Sequence, residues 1–129
     1  MDGLLRAQVL LSVTLCVWLA GCGGTDPRIA MLRSRTAVQK EIHQILVGVK
    51  DTASMAEAKT KLDDRYDHCE RLAQKARELD RNLPPDVVEQ MLREKKGLEQ
   101  AVADTAREIQ RIKELPGGKD FFERLEPPN

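Results

Sequence analysis

Leu79-Asp80-Arg81-Asn82-Leu83-Pro84-Pro85-Asp86 decides the fold of this chain, because it interrupts the longest regular pattern in it. Proline lacks an amide donor and biases the residue before it away from helix, so Pro84-Pro85 ends one helix and opens the next. Upstream, Met55, Leu62, Cys69, Ala76 and Leu83 recur every seven residues, with Ala58, Arg65, Leu72 and Leu79 interleaved at four and three. Downstream, Val88, Lys95, Val102 and Ile109 form one row and Met91, Leu98, Thr105 and Ile112 a second. Such spacing marks helices with an apolar stripe. The spans 54–83 and 86–115 are equal in length, each about 45 Å of helix. Ser54 with Glu57 has the spacing of a capping box, and Asp86 with Glu89 supplies a fresh N-terminal cap. Folded about Pro84-Pro85, the spans form an antiparallel hairpin. Leu79 then falls near Met91, Cys69 near Leu98 and Val102, and Leu62 near Thr105 and Ile109.

Working outward, Asp26-Pro27 joins a capping side chain to a proline placed where no amide donor is needed, and so starts an earlier helix over about 27–49. Met31, Val38 and Ile45 recur every seven residues there, with Ile42 and Val49 at the alternate positions. A two-helix hairpin leaves much apolar surface wet and the first stripe needs a partner, so the expected fold is all-α, a three-helix bundle with coiled-coil-like heptads. Pairing of stripes between chains is the competing arrangement, and the short connections favour the intrachain bundle. Pro116-Gly117-Gly118 ends the third helix. The tail Lys119–Leu125 is read as a short helix that brings Phe121, Phe122 and Leu125 to one side. These residues either cap the open end of the bundle near Met55 and Leu115 or form an exposed interaction anchor.

Polar residues break the seam at Arg65, Lys95 and Thr105. In the hairpin register Arg65 falls near Asp104, where an ion pair would fix the alignment; alternatively Arg65 and Lys95 lay their stems on the core and keep their charges in water. The heptad position of Cys69 favours a small buried residue. An intermolecular disulfide, or redox or metal chemistry with His68, are the alternatives. Neighbouring helical residues point about 100° apart, which makes His68 and Cys69 a poor chelate. No HExxH, CxxC, nucleophile elbow or phosphate-binding loop occurs, so no enzyme and no cofactor or metal is expected. The chain has 129 residues, 33% of them charged, with 21 basic and 21 acidic side chains and a net charge of zero. That balance argues against a nucleic-acid partner, and no small-molecule substrate is evident.

The N-terminus carries the remaining signal. Ala7–Ala20, AQVLLSVTLCVWLA, is uncharged and about 21 Å long as a helix, short of the roughly 30 Å hydrocarbon core but ordinary for a signal-peptide apolar region. Leu19-Ala20-Gly21-Cys22 follows, and it resembles the lipobox of bacterial lipoproteins. The resemblance implies cleavage between Gly21 and Cys22, a covalent lipid on Cys22, and a cleaved leader over 1–21. Arg6 and Asp2 leave together, so the mature charge stays at zero. Residues 22–26 form a lipidated cysteine and short tether, with a reach of about 15 Å that keeps the domain over 27–129 near the membrane. Gly23, where aspartate is the common inner-membrane retention signal in enterobacterial lipoproteins, favours the outer membrane facing the periplasm in a cell with two membranes.

Together these features lead to the expectation of an exported, lipid-anchored envelope protein that acts without catalysis, holding or recruiting another protein close to the membrane. A self-associating coiled-coil spacer is the first alternative. A small redox or metal-handling protein using Cys69 and His68 is the second.

Overall fold

The computed structural model describes residues 25–79 and 81–125, and it is all-α. Helices α1 (Pro27–Val47), α2 (Thr52–Glu78) and α3 (Pro85–Lys113) form a bundle, and the short α4 (Gly118–Glu123) closes one end. The leader, Gly21 and Cys22 lie outside the described residues.

Asp26 caps α1 as its sequence requires. Its carboxylate accepts from the Arg28 backbone amide at 2.9 Å, and Pro27 occupies the first helical position. The guanidinium of Arg28 returns to the same carboxylate at 2.7 Å and also donates to the Asn82 carbonyl at 2.8 Å. One side chain therefore ties the start of α1 to the loop between α2 and α3. At the other end of α1, Arg111 on α3 donates to the Leu46 carbonyl at 3.0 Å, placing a cation where the helix dipole is negative.

The cap of α2 is Asp51 rather than Ser54. Ser54 sits at the third helical position and closes a reciprocal box, its amide donating to Asp51 Oδ1 at 2.8 Å while the Asp51 amide donates to its hydroxyl at 3.0 Å. Thr52 and Ala53 thereby join the helix. Helix α3 begins on Pro84 with no side-chain cap, and Asp86 lies within its first turn, where its charge still favours the helix N-terminus. The far end of α2 also differs from expectation. Helix stops at Glu78, and Leu79 is extended (φ −74°, ψ 143°), so residues 79–84 form a connection able to span about 20 Å.

That longer connection changes the seam. Helices α2 and α3 run antiparallel as expected, yet among the described residues they nowhere bring Cα atoms within 8 Å of each other. Helix α1 packs closely on both. Contacts from α1 to α3 advance together along both chains: Arg33 to Glu94, Gln39 to Thr105, Leu46 to Arg111. The two helices are thus parallel, and α2 is antiparallel to both. A helix with two neighbours needs a wider apolar face than one stripe. Ile29 and Leu46, both fully buried, supply it beside the expected Val38, Ile42 and Val49.

The main core gathers where α1 ends, α2 begins and α3 ends: Val38, Ile42, Leu46, Val49, Met55, Ala58, Leu62, Ile112, Phe121 and Phe122. Two glycines bring α4 onto it. Gly117 has φ 78°, a left-handed conformation that side chains resist. A Cβ on Gly118 would lie 1.8 Å from the Ile112 carbonyl oxygen, so the backbone there approaches closer than any side chain permits.

Candidate functional site

Helix α3 turns most of its circumference away from the core, and one row of that exposed surface is rich in aliphatic side chains. Val87, Ala101, Thr105 and Ile112 are buried against α1, and Met91, Leu98 and Ile109 are half-buried. The next row around the helix, Val88, Leu92, Lys95, Glu99, Val102 and Ala106, is exposed along its whole length. Leu92 is 57% exposed and Val102 48%, values unusual for large aliphatic side chains placed in one line. Sequence reasoning assigned Val88, Lys95 and Val102 to the hairpin seam. They face solvent because α1, not α2, occupies the inner face of α3.

Beside this ridge lies an open cleft of about 450 Å³ between α1 and α3, lined by Leu32, Arg35, Leu98, Val102 and Ala106 with Lys95 and Glu99 at its edge. A charge-rich cleft of about 500 Å³ between α1 and α2 is of another kind. There Arg65 donates to Glu41 at 2.7 Å and also pairs with Asp64, so its charge is satisfied within the fold. Of the two readings of Arg65, this rules out the pair with Asp104. With α1 between the long helices, Arg65 meets α1, while Asp104 binds Gln100 and Arg107 on its own helix. Lys95 keeps its charge in water, 3.7 Å from Glu99.

The other singled-out residues fall as follows. Phe121 and Phe122 are buried in the main core, their rings 5.1 Å apart and near edge-to-face, with Lys113 Nζ 5.9 Å from the Phe122 centroid. Phe121 shares a small cleft with Met55, and Leu125 is half-buried against the same cluster, which is the capping placement. As exposed anchors, Phe121 and Phe122 have too little free surface. Cys69 is a half-buried thiol. Burial pushes its pKa up, and the opposing field of nearby Arg35 is the weaker effect. A thiol held protonated is a poor nucleophile and a poor metal ligand. Among the described residues no three His, Cys, Asp or Glu side chains gather to hold a metal ion, so His68 finds no partners for such a site.

No described helix is long and apolar enough to cross a membrane. The chain matches no protein-family model, no curated protein and no solved structure.

Leu92 and Ala106 were not recognised as part of a surface from the sequence. The signal was present: Val88, Leu92, Lys95, Glu99, Val102 and Ala106 are spaced four, three, four, three and four, the repeat of a helix that pairs with another helix.

Proposed function

We propose that this protein is a lipid-anchored interaction module of the bacterial envelope that engages its partner through the exposed ridge of α3. The ridge is the observation that carries this reading. Folded chains normally cover large aliphatic side chains placed in one line, and such a line left open along a helix marks a contact surface. The lipobox resemblance at Leu19–Cys22 supplies the location, with a lipid on Cys22 and a tether too short to let the bundle leave the bilayer. In this reading the protein does no chemistry of its own; the bundle presents a rigid helix face at a fixed height above the membrane.

Photo-crosslinking in native membranes tests it, with a reactive side chain at Leu92 in the wild-type chain and in Cys22→Ser. A discrete adduct at Leu92, lost or redistributed when Cys22 is replaced, is the expected result, together with a lipid mass on the Cys22 peptide. An unlipidated wild type sinks the anchoring half, and a Leu92 that crosslinks to nothing sinks the other.

A further inference from the structure

We infer that the partner of the α3 ridge is a second copy of this chain, paired antiparallel about a two-fold axis opposite residue 97. The inference rests on the ridge being a contact surface, as proposed above, and adds what it contacts. The ridge is self-complementary in one direction only. Positions equally spaced about residue 97 fall opposite each other in an antiparallel pair: Val88 against Ala106 of the second copy, Leu92 against its Val102, and Lys95 against its Glu99. A two-fold axis generates each contact twice, so two aliphatic layers on either side enclose two Lys95–Glu99 ion pairs at the centre. The spacing also suits the layers of an antiparallel coiled coil, in which each pair of opposed residues comes from the two different core positions of the heptad.

The charges oppose parallel self-pairing. Parallel pairing would set Lys95 against Lys95 and Glu99 against Glu99, a like-charge core. In the single chain Lys95 and Glu99 already sit one turn apart at 3.7 Å, both exposed, and are placed to exchange that long intrahelical contact for shorter ones across the axis. Because α1 runs parallel to α3, the two copies of Thr25 lie at opposite ends of the dimer. Lipid anchors at both ends would hold it along the membrane surface rather than upright.

The test is sedimentation equilibrium of the full chain in mild detergent, comparing wild type, Lys95→Glu, Glu99→Lys and the double charge swap. Far-ultraviolet circular dichroism confirms that each variant keeps its helices. Wild type is expected to be a dimer. Either single reversal weakens it by on the order of tenfold for each of the two symmetry-related pairs, and the swap restores it. Zero-length crosslinking of mixed ordinary and heavy-isotope chains should then yield a mixed-isotope Lys95–Glu99 linkage. A monomeric wild type, a dimer indifferent to both reversals, or a swap that fails to rescue would each overturn the pairing. The Leu92 photo-adduct separates the two readings. A monomer whose Leu92 crosslinks to a different protein ends the self-pairing and keeps the interaction surface, whereas a monomer with no adduct ends both.

Discussion

Where α1 ends and α2 begins, Ile42, Leu46, Val49, Leu62 and Ile112 are fully enclosed, and α4 seals them with Phe121 and Phe122; at the opposite end Ile29 and Val87 are buried while Leu83, Val88 and Leu92 face solvent. The two ends are made of the same aliphatic residue types. The difference lies in what covers them. At the sealed end a tight four-residue connection and a glycine-built corner bring four helices together. At the start of α1 and α3, the connection after Glu78 carries α3 across to the far flank of α1 and leaves one of its rows beside an open cleft rather than under a packed helix. Buried core is therefore concentrated away from the chain's N-terminal side, and exposed aliphatic surface lies mostly toward it. This separation lets a small domain with few aromatic residues expose a ridge without depending on it to fold.

The largest test of that contrast compares two leucines. Leu62→Ala opens a cavity in the sealed core and should cost about 2–5 kcal/mol in denaturant unfolding. Leu92→Ala removes surface the single chain's fold does not use and, measured at concentrations where the chain is monomeric, should stay within about 0.5 kcal/mol. Equal costs would mean that the ridge is part of the core and the contrast is mistaken.

Next in size is the corner that seals the end. Gly118→Ala must move either α4 or the last turn of α3 to clear the Ile112 carbonyl, and about 1–3 kcal/mol is expected. Exchange of backbone amides should rise in α4 and in the α3 terminus while the first turns of α1 and α3 stay as they were. Spread of the change to the open end would show that the two ends are not separate.

Much of this architecture was legible beforehand, and the reasons for the rest are specific. Asp26-Pro27 and Pro84-Pro85 act through local sterics and hydrogen bonding, so they could be read without knowing the neighbours. The α2 row Met55, Ala58, Leu62, Leu72 was also legible, because α2 packs along its length on α1 alone and needs one stripe, with α4 meeting only its first turns. The α1 stripe was found only in part. Ile29 and Leu46 belong to its second face, and a single-stripe reading has no use for them. At Asp51-Thr52-Ala53-Ser54 two overlapping boxes share the same spacing, and only the path of the chain decides that Asp51 caps. The ridge fell between two adjacent apolar rows of α3. Periodicity shows that both exist but not which faces inward, since that depends on where α1 lies. Cys22 is singled out only by its resemblance to a processing motif, which owes nothing to the fold.

A smaller effect is expected midway between the ends, at Thr105, a buried polar side chain of the α1–α3 seam. Thr105 donates to the Ala101 carbonyl at 2.9 Å and accepts from Gln39 Nε2 at 3.0 Å, joining the two helices while satisfying its own hydroxyl. Thr105→Val keeps the shape and removes both bonds, and half-buried Gln39 can turn to water. A loss of about 1 kcal/mol follows, measured by the same unfolding assay. A loss several times larger would make this bond, rather than the sealed core, the main fastening of α3.

The smallest effect separates the ends by pH. The Arg28 side chain and then its backbone amide hold Asp26 down from an ordinary 3.8 to about 2, and hydrogen bonds from Ser54 lower Asp51 as well. A carboxylate whose folded pKa is depressed favours folding fully above its unfolded value. That contribution fades as pH falls from there through the folded pKa. Both caps should therefore be intact above pH about 5 and weaken below pH about 4. Asp51 is exposed and Asp26 is half-buried at the surface, so salt and solvent keep the global change small. The local change is readable by nuclear magnetic resonance, following the first-turn amides of α1 and α2 as the solution is acidified. Replacing Asp26 with Asn should flatten the profile of α1 alone, and replacing Asp51 with Asn that of α2 alone. The α1 response should also reach the 79–84 loop, since Arg28 holds the Asn82 carbonyl with the same guanidinium that pairs with Asp26. A loop that ignores the titration of Asp26 would show that the open end is fastened by α3 packing instead, and that Arg28 only caps its own helix.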